Sequence, residues 1–366
     1  MAMLVTIFMF LIMLGILVFV HELGHFVVAR WMGVRVEEFG IGYPPRAVTL
    51  FERDGVKYTL NWLPIGGFVR FGGEDNSLYG TGSLAAAAPW RKIPVMVAGP
   101  LMNLFLAIVI FAILFVSLGI PVMTDTQVIN AVFPETPAAA AGFQPDDILV
   151  SLDGQIVTGP ESIEPITRSK TGQPVPAVVE RNGQQLTLTV TPGPWSTPDG
   201  QSFQSGLGIS YGPIITNEPA SLPRAIVAGV VYTGEMLVRM LQGFGALLGG
   251  LFGLNEAPAG GVAGPVGIAR ATGEVIDQGG LPGFWNWTAV LSLNLFILNL
   301  LPIPALDGSH IVFSLIEWIR GGKKVPPEKE ALVHAIGFAT LMALMLLITV
   351  SDVLNAISGN PVLGGG

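Results

Sequence analysis

The chain has 366 residues, of which 51% are apolar and only 12% charged, with 18 Lys and Arg against 26 Asp and Glu for a formal net charge of −8. Its mean hydropathy of +0.61 lies outside the range of water-soluble globular domains and places the chain in a membrane. There is no cysteine, which excludes a disulfide framework, a thiolate nucleophile and a thiolate metal site, so a transition-metal site must draw on His, Asp or Glu.

In chain order, residues 4–29 form the first apolar run long enough to cross a bilayer, which takes about 20 residues. The run lacks a cationic start and a small-residue cleavage site, so it is expected to be a retained span within a first segment, 1–33, and not a signal peptide. Residues 34–92 show strand-like alternation around Asp54-Gly55 and read as a β-hairpin and loop. That hairpin either dips towards the membrane or lies peripherally on its cytoplasmic side. A second span is expected over 93–118, within segment 93–119. Residues 120–212 contain short Val, Ile and Leu runs separated by turns at Asp153-Gly154 and Asn182-Gly183, the pattern of a small soluble β-rich domain.

The linker 213–284 includes an apolar stretch at 225–254, interrupted by Glu235, Arg239 and many glycines, which reads as an amphipathic helix that does not span. A third span over 287–319, within segment 285–320, is broken by Pro302, Pro304, Asp307 and Gly308. Non-helical backbone at membrane depth is tolerated only where it is buried in protein or lines a wet cavity, so the break points to function. A fourth span over 331–350 completes the last segment, 321–366. The expectation is a multi-pass α-helical membrane protein with four transmembrane helices, a membrane-associated hairpin and an inserted β-rich domain.

Basic residues lie between the first two spans (Arg30, Arg35, Arg46, Arg53, Lys57, Arg70, Arg91, Lys92) and between the last two (Arg320, Lys323, Lys324, Lys329). The excess of positive charge in cytoplasmic loops makes both loops cytoplasmic. The acid-rich residues 119–282 and both termini then lie outside. The expected partners are the lipid bilayer and membrane-segment substrates, with no nucleic acid.

His21-Glu22-Leu23-Gly24-His25 is an H-E-x-x-H pattern. Two imidazoles at i and i+4 share one helical face and can hold a single Zn2+, while Glu22 beside them can take a proton from an activated water and pass it to a leaving amine. Alone the pattern also fits two surface histidines, but three ionisable side chains inside an apolar span are costly and mark a site. A catalytic zinc usually has three protein ligands and one open position. Asp307 is the natural third, since the only other carboxylate in the later spans, Glu317, sits near the cytoplasmic end; its bland role is a helix cap. His21 lies nine residues before Arg30 and Asp307 thirteen before Arg320, or about 14 and 20 Å of helix, so both sit inside the bilayer nearer the cytoplasm. They meet only if the first and third spans run the same way, which leaves no crossing for 225–254. Asn294 and Asn299 also lie in the third span, either as helix–helix glue or as donors to a substrate whose helix has been opened. His310 would make a fourth ligand and leave no place for water, so it reads as structural, and His334 as interfacial.

With HELGH in the first span, Asn299-Leu-Leu-Pro302-Ile-Pro304-Ala-Leu306-Asp307-Gly308 in the third and a PDZ-like insert between them, the chain resembles the site-2 protease family, in particular the bacterial regulator-of-sigma-E proteases. Further matching motifs are Gly40-Ile-Gly, Pro64-Ile-Gly-Gly-Phe, Ala98-Gly99-Pro100, Asn103 and Gly264-Pro265-Val-Gly-Ile. The resemblance implies zinc ligation by His21, His25 and Asp307, general-base action by Glu22, and substrate contact by Asn294 and Asn299, with Pro302, Pro304 and Gly308 supporting the site. It implies a bacterial cytoplasmic-membrane endopeptidase that cuts single-pass proteins such as anti-sigma factors, or signal peptides, after another protease has acted. The chain departs from the pattern in having one PDZ-like insert where some members carry two, and in placing Asp146 where the usual Pro-Gly-Asp turn has glycine. The rival readings are a prenyl-protein-type membrane zinc peptidase, which wants a downstream Glu ligand, and a non-catalytic PDZ-containing membrane adaptor, which has no use for Glu22.

Overall fold

The computed structural model describes residues 2–72, 82–197, 202–251, 253 and 263–358. Parts of the hairpin-and-loop segment (73–81), the insert (198–201), the linker (252, 254–262) and the C-terminal tail (359–366) lie outside the described residues, as do the side chains of Pro64 and Ile65. The chain divides into two compact units, Leu118–Ala220 and the remainder.

The larger unit opens with α1 (Ala2–Trp31), a continuous apolar helix that ends on Arg30. Strands β1 (Val36–Arg53) and β2 (Val56–Phe71) form an antiparallel hairpin. Its turn places Asp54 at φ 53° and Gly55 at φ 76°, the left-handed pair that an Asp-Gly hairpin turn requires. Inside the hairpin Glu38 is buried and accepts hydrogen bonds from Arg46 and Thr59, with Arg70 nearby. Burial alone would raise the Glu38 carboxyl, but these partners outweigh it and hold it below its ordinary range.

The hairpin packs against α1. A Cβ added at Gly66 would lie 2.6 Å from Val18 Cβ, and one at Gly67 would lie 3.9 Å from Glu22 Cβ, so β2 runs against α1 at the depth of the H-E-x-x-H turn. At Gly66 only a residue without a side chain allows so close an approach of the backbone. Phe39, Val56 and Phe71 join Ala29 of α1 and Val95 and Met96 of α2 (Pro89–Leu118) in one buried cluster.

The smaller unit carries β3 (Ile120–Val132), α3 (Pro137–Ala141), β4 (Ile148–Leu152), β5 (Gln155–Ile156), α4 (Pro160–Ser169), β6 (Val175–Arg181), β7 (Gln184–Val190), β8 (Gly193–Ser196), β9 (Ser202–Gly206) and β10 (Ile209–Glu218). The main sheet has the order β10-β3-β4-β6-β7, with β5 paired to β4. Ile129, Leu149, Leu152, Val179 and Val190 are buried in its core. Both expected turns form, with Asp153-Gly154 and Asn182-Gly183 left-handed. Asp146 has φ 69°, so it takes the left-handed conformation that glycine would supply, and Asp is among the few residues that tolerate it. Its neighbour Asp147 is fully buried and accepts from Arg181 Nε at 2.6 Å and Nη2 at 2.7 Å, and from the Gln144 N–H at 2.9 Å.

The larger unit resumes with α5 (Leu222–Leu251), α6 (Pro265–Leu300), α7 (Asp307–Ile319) and α8 (Pro327–Ile357). Among the described residues five helices, where four spans were expected, are long and apolar enough to cross a membrane by length and composition: Met3–Trp31, Pro89–Leu118, Leu222–Gly250, Pro265–Leu300 and Glu328–Ile357. The additional one is α5, where the glycines and the Glu235–Arg239 pair leave a continuous 30-residue helix. It packs on α2, with Tyr232 edge-on to Phe111 and Phe115. Helix α6 is two helices joined at Gly280 (φ 57°, ψ −147°), just before Pro282. Its polar first half, with Arg270, Glu274 and Asp277, belongs to what the sequence suggested was linker. The Asp352 carboxylate of α8 accepts from the Gly267 N–H at 2.7 Å in the first turn of α6, a favourable place for negative charge. Side chains at 264 or 267 would meet that carboxylate at 2.9 Å, which accounts for the Gly264-Pro265-Val-Gly motif.

Candidate active site

Helix α1 carries His21 and His25 four residues apart, so the rings share a face and meet edge to face, with centroids 4.7 Å apart and planes at 82°. Their Nε2 atoms are 3.1 Å apart. Asp307 enters from the start of α7, with Oδ2 3.1 Å from His21 Nε2 and 3.4 Å from His25 Nε2. Ligands about 2.0–2.1 Å from a tetrahedral zinc stand about 3.3 Å from one another, so the three donor atoms already have the spacing of three corners of that tetrahedron. Asp307 Oδ2 is buried and has no hydrogen-bond partner. An unsatisfied carboxylate oxygen facing two imidazole nitrogens fits a divalent cation, and two nitrogens with an oxygen suit zinc.

The surroundings set the tautomers. His25 Nδ1–H donates to the Val95 carbonyl at 2.8 Å, between Pro94 and Pro100 of α2, which leaves Nε2 as a lone pair. The Asn103 side-chain amide lies 3.2 Å from His21 Nδ1, and Asn103 Oδ1 has no other partner. With that oxygen turned to the ring, His21 Nδ1–H donates to it and Nε2 is again free, an amide orientation that satisfies both groups. Glycines let the helices close. A Cβ at Gly24 would lie 2.7 Å from Met102 Cγ, and one at Gly99 would lie 2.6 Å from His25 Cε1.

The break in the third span is the turn 301–306 between α6 and α7. The Ile303 N–H bonds Leu301 O, the Leu306 N–H bonds Ile303 O, and the Ser309 hydroxyl and N–H both reach Leu306 O. Ala305 has φ 74°, a conformation L side chains avoid. Gly308 lets the new helix start against the end of the old one, because a Cβ there would lie 2.6 Å from Leu300 O. The Pro302, Pro304 and Gly308 break thus delivers Asp307 to the histidines.

Glu22 lines the same cavity of about 500 Å³ as His25 and Asp307, on the stretch of α1 that β2 runs beside at Gly67. Lys92 donates to Glu317 at 2.7 Å on the cavity wall. Asn294 and Asn299 are not brought into the His–Asp cluster. Asn294 is exposed on α6, Asn299 is half-buried, and neither side chain hydrogen-bonds another described residue. The roles of Asn103 and Val95 were not visible in the sequence; an Asn inside the second span was the one signal for the first.

His310, Glu330 and His334 form a second group on the cavity wall, with His310 Nδ1 3.9 Å and His334 Nε2 4.0 Å from Glu330 Oε1. Here the two rings stack, with planes at 19° and centroids 4.3 Å apart. An imidazole binds metal along a lone pair in its ring plane, so rings stacked nearly parallel do not converge on one ion, in contrast to the 82° pair.

The model of peptidase family M50 matches residues 9–344. The zinc metalloprotease RasP of Geobacillus kaustophilus is 32% identical, with 95% of this chain and 97% of that protein covered. RasP of Oceanobacillus iheyensis is 29% identical over 95% and 98%, and a protein of Agrobacterium fabrum is 32% identical over 94% of each. A family match over nearly the whole chain, relatives aligned over almost all of their own length and a His–His–Asp cluster with zinc spacing converge: the chain belongs to peptidase family M50, the site-2 protease family, and is a membrane zinc metalloprotease.

Proposed function

We propose that the chain cuts transmembrane segments of single-pass membrane proteins inside the bacterial cytoplasmic membrane, with His21, His25 and Asp307 holding Zn2+ and Glu22 acting as general base. The carrying observation is the 3.1–3.4 Å spacing of the three donor atoms on one cavity. Zinc, when bound, supplies Lewis acidity that makes water nucleophilic near neutral pH and polarises the scissile carbonyl. Glu22 accepts the proton of the attacking water and hands it to the departing amine nitrogen. Asn294 and Asn299 donate to substrate carbonyls once the substrate helix opens; their lack of side-chain hydrogen-bond partners among the described residues supports this over helix–helix glue. The hairpin supports an extended substrate by offering β2 as a neighbouring strand beside Glu22. Its exposed Tyr43, Leu50, Trp62 and Leu63 suit a lipid environment.

The unit Leu118–Ala220 acts as an extracytoplasmic PDZ-like module, as a steric filter or a peptide binder, for substrates already trimmed by another protease. Helix α5 lies on the outer side without crossing. The pair of Lys92 at the start of α2 and Glu317 at the end of α7 supports antiparallel α2 and α7, and hence no net crossing between them. The test is a reporter transmembrane segment in detergent or vesicles. Glu22→Gln should keep zinc and lose cleavage, and Asp307→Ala should lose both. Cleavage by Glu22→Gln at the wild-type rate overturns the mechanism.

A further inference from the structure

We propose that His334 of α8, seconded by Gly337, is a positioning residue for Asp307, setting the metal-ligand geometry through the turn that carries it. This rests on Asp307 being a zinc ligand. The turn needs outside support, because Ala305, two residues before Asp307, is held at φ 74°, which an alanine leaves readily unless its surroundings fix it. The fixing contact is a hydrogen bond from the Ala305 N–H to His334 Nδ1 at 3.1 Å. The ring is itself clamped, stacked on His310 and inclined at 48° to Phe313 with centroids 5.5 Å apart, both on α7. His334 therefore ties the turn to the helix that Asp307 begins.

One turn further along the same face of α8, Gly337 makes room for Pro304. A Cβ there would lie 2.9 Å from Pro304 Cγ and 3.1 Å from the Pro304 carbonyl carbon. Two consecutive residues of the turn, Pro304 and Ala305, are thus held by one face of α8, while Asp352 at the far end of α8 holds the start of α6. The tautomer follows from the hydrogen bond. Accepting at Nδ1 puts the neutral ring's proton on Nε2, which lies 4.0 Å from Glu330 Oε1 with no hydrogen-bond partner among the described residues. A ring whose Nδ1 lone pair is already committed to Ala305 braces the turn and is not a free ligand.

Zinc affinity of the full-length protein in detergent, read by competition with a chromophoric chelator, tests this. His334→Phe keeps a ring in the stack and removes the acceptor; His334→Asn puts an acceptor oxygen near the Nδ1 position; Gly337→Ala pushes on Pro304. The expected result is about tenfold weaker zinc binding for His334→Phe and Gly337→Ala, the scale of losing an outer partner of a ligand, with His334→Asn within about threefold of wild type. Unfolding midpoints of the metal-free forms within a few degrees of one another show that each variant folds. Wild-type affinity in His334→Phe, or equal loss in His334→Asn and His334→Phe, overturns the proposal. Asp307→Ala run alongside separates the two readings: if it also keeps wild-type affinity, the ligand assignment itself is wrong.

Discussion

Gly99→Ala gives a severe and local test of the centre, because it leaves every proposed ligand in place. The added Cβ would lie 2.6 Å from His25 Cε1, 2.8 Å from Cδ2 and closer still to Nε2, where ordinary contact begins at 3.4 Å, so the ring must retreat by about 1 Å. Zinc–ligand distances tolerate only about ±0.2 Å. His25 is also anchored by its 2.8 Å bond to Val95 O on the same helix α2, so moving the ring loses both the donor position and the bond that fixes its tautomer. A misplacement approaching 1 Å costs about 100-fold in rate, and loss of the outer bond about 10- to 100-fold in metal affinity. The expected outcome is zinc affinity and cleavage each reduced by about two orders of magnitude, with cleavage partly restored in excess zinc and the metal-free unfolding midpoint little changed. Measurement is by chelator competition and a reporter segment in detergent. If Gly99→Ala binds zinc as tightly as wild type, His25 does not ligate from its position in the structure.

The remaining predictions concern the frame around the site. Lys92→Met should destabilise the fold by about 3 kcal/mol by stranding the buried Glu317 carboxylate, and Lys92→Met with Glu317→Leu should recover most of the loss; thermal unfolding showing simple additivity refutes this. In the smaller unit, burial alone would raise the Asp147 carboxyl, but Arg181 and the Gln144 N–H outweigh it and hold it below the ordinary range. A lowered folded pKa gives stability that is full above the unfolded value of about 4 and is lost as pH falls through the folded one. Resistance of residues 118–220 to nicking by an acid-active protease should therefore hold at pH 5 and decline below about pH 4, and an unchanged acid limb in Asp147→Asn argues against the pair. Since the chain has no cysteine, single cysteines at the exposed Ile226 and Leu248 of α5 should both react with an impermeant maleimide from the outer side. Labelling of Leu248→Cys only from the cytoplasmic side sinks the proposed topology.

The chemistry of the centre was legible because it is written in residue types that membranes penalise. Two histidines and a glutamate in one apolar run, and one aspartate in a Pro-broken run, stand out against their surroundings, and the coordinates bring His21, His25 and Asp307 together. What orients those ligands was not legible, because it depends on approach in three dimensions. Val95 contributes only a carbonyl, Gly99 only the absence of a side chain, and His334 reaches a backbone N–H 29 residues away. The hairpin's place beside α1 was equally open until Gly66 and Gly67 were seen against Val18 and Glu22. Helix α5 forms where an amphipathic helix was expected, and its glycines and one ion pair lower its hydropathy without breaking its backbone. The kink at Gly280 hid the true start of α6, since no apolar periodicity marks a joint between a polar and an apolar half.

The three donors that the structure brings together come from residues 21, 25 and 307. A ribosome translating from the N-terminus emits both imidazoles early and the carboxylate some 286 residues later, a delay on the order of tens of seconds at ordinary elongation rates. During that interval the nascent polypeptide carries two of the three clustered donors, so the cluster can close only after the turn before α7 has been made.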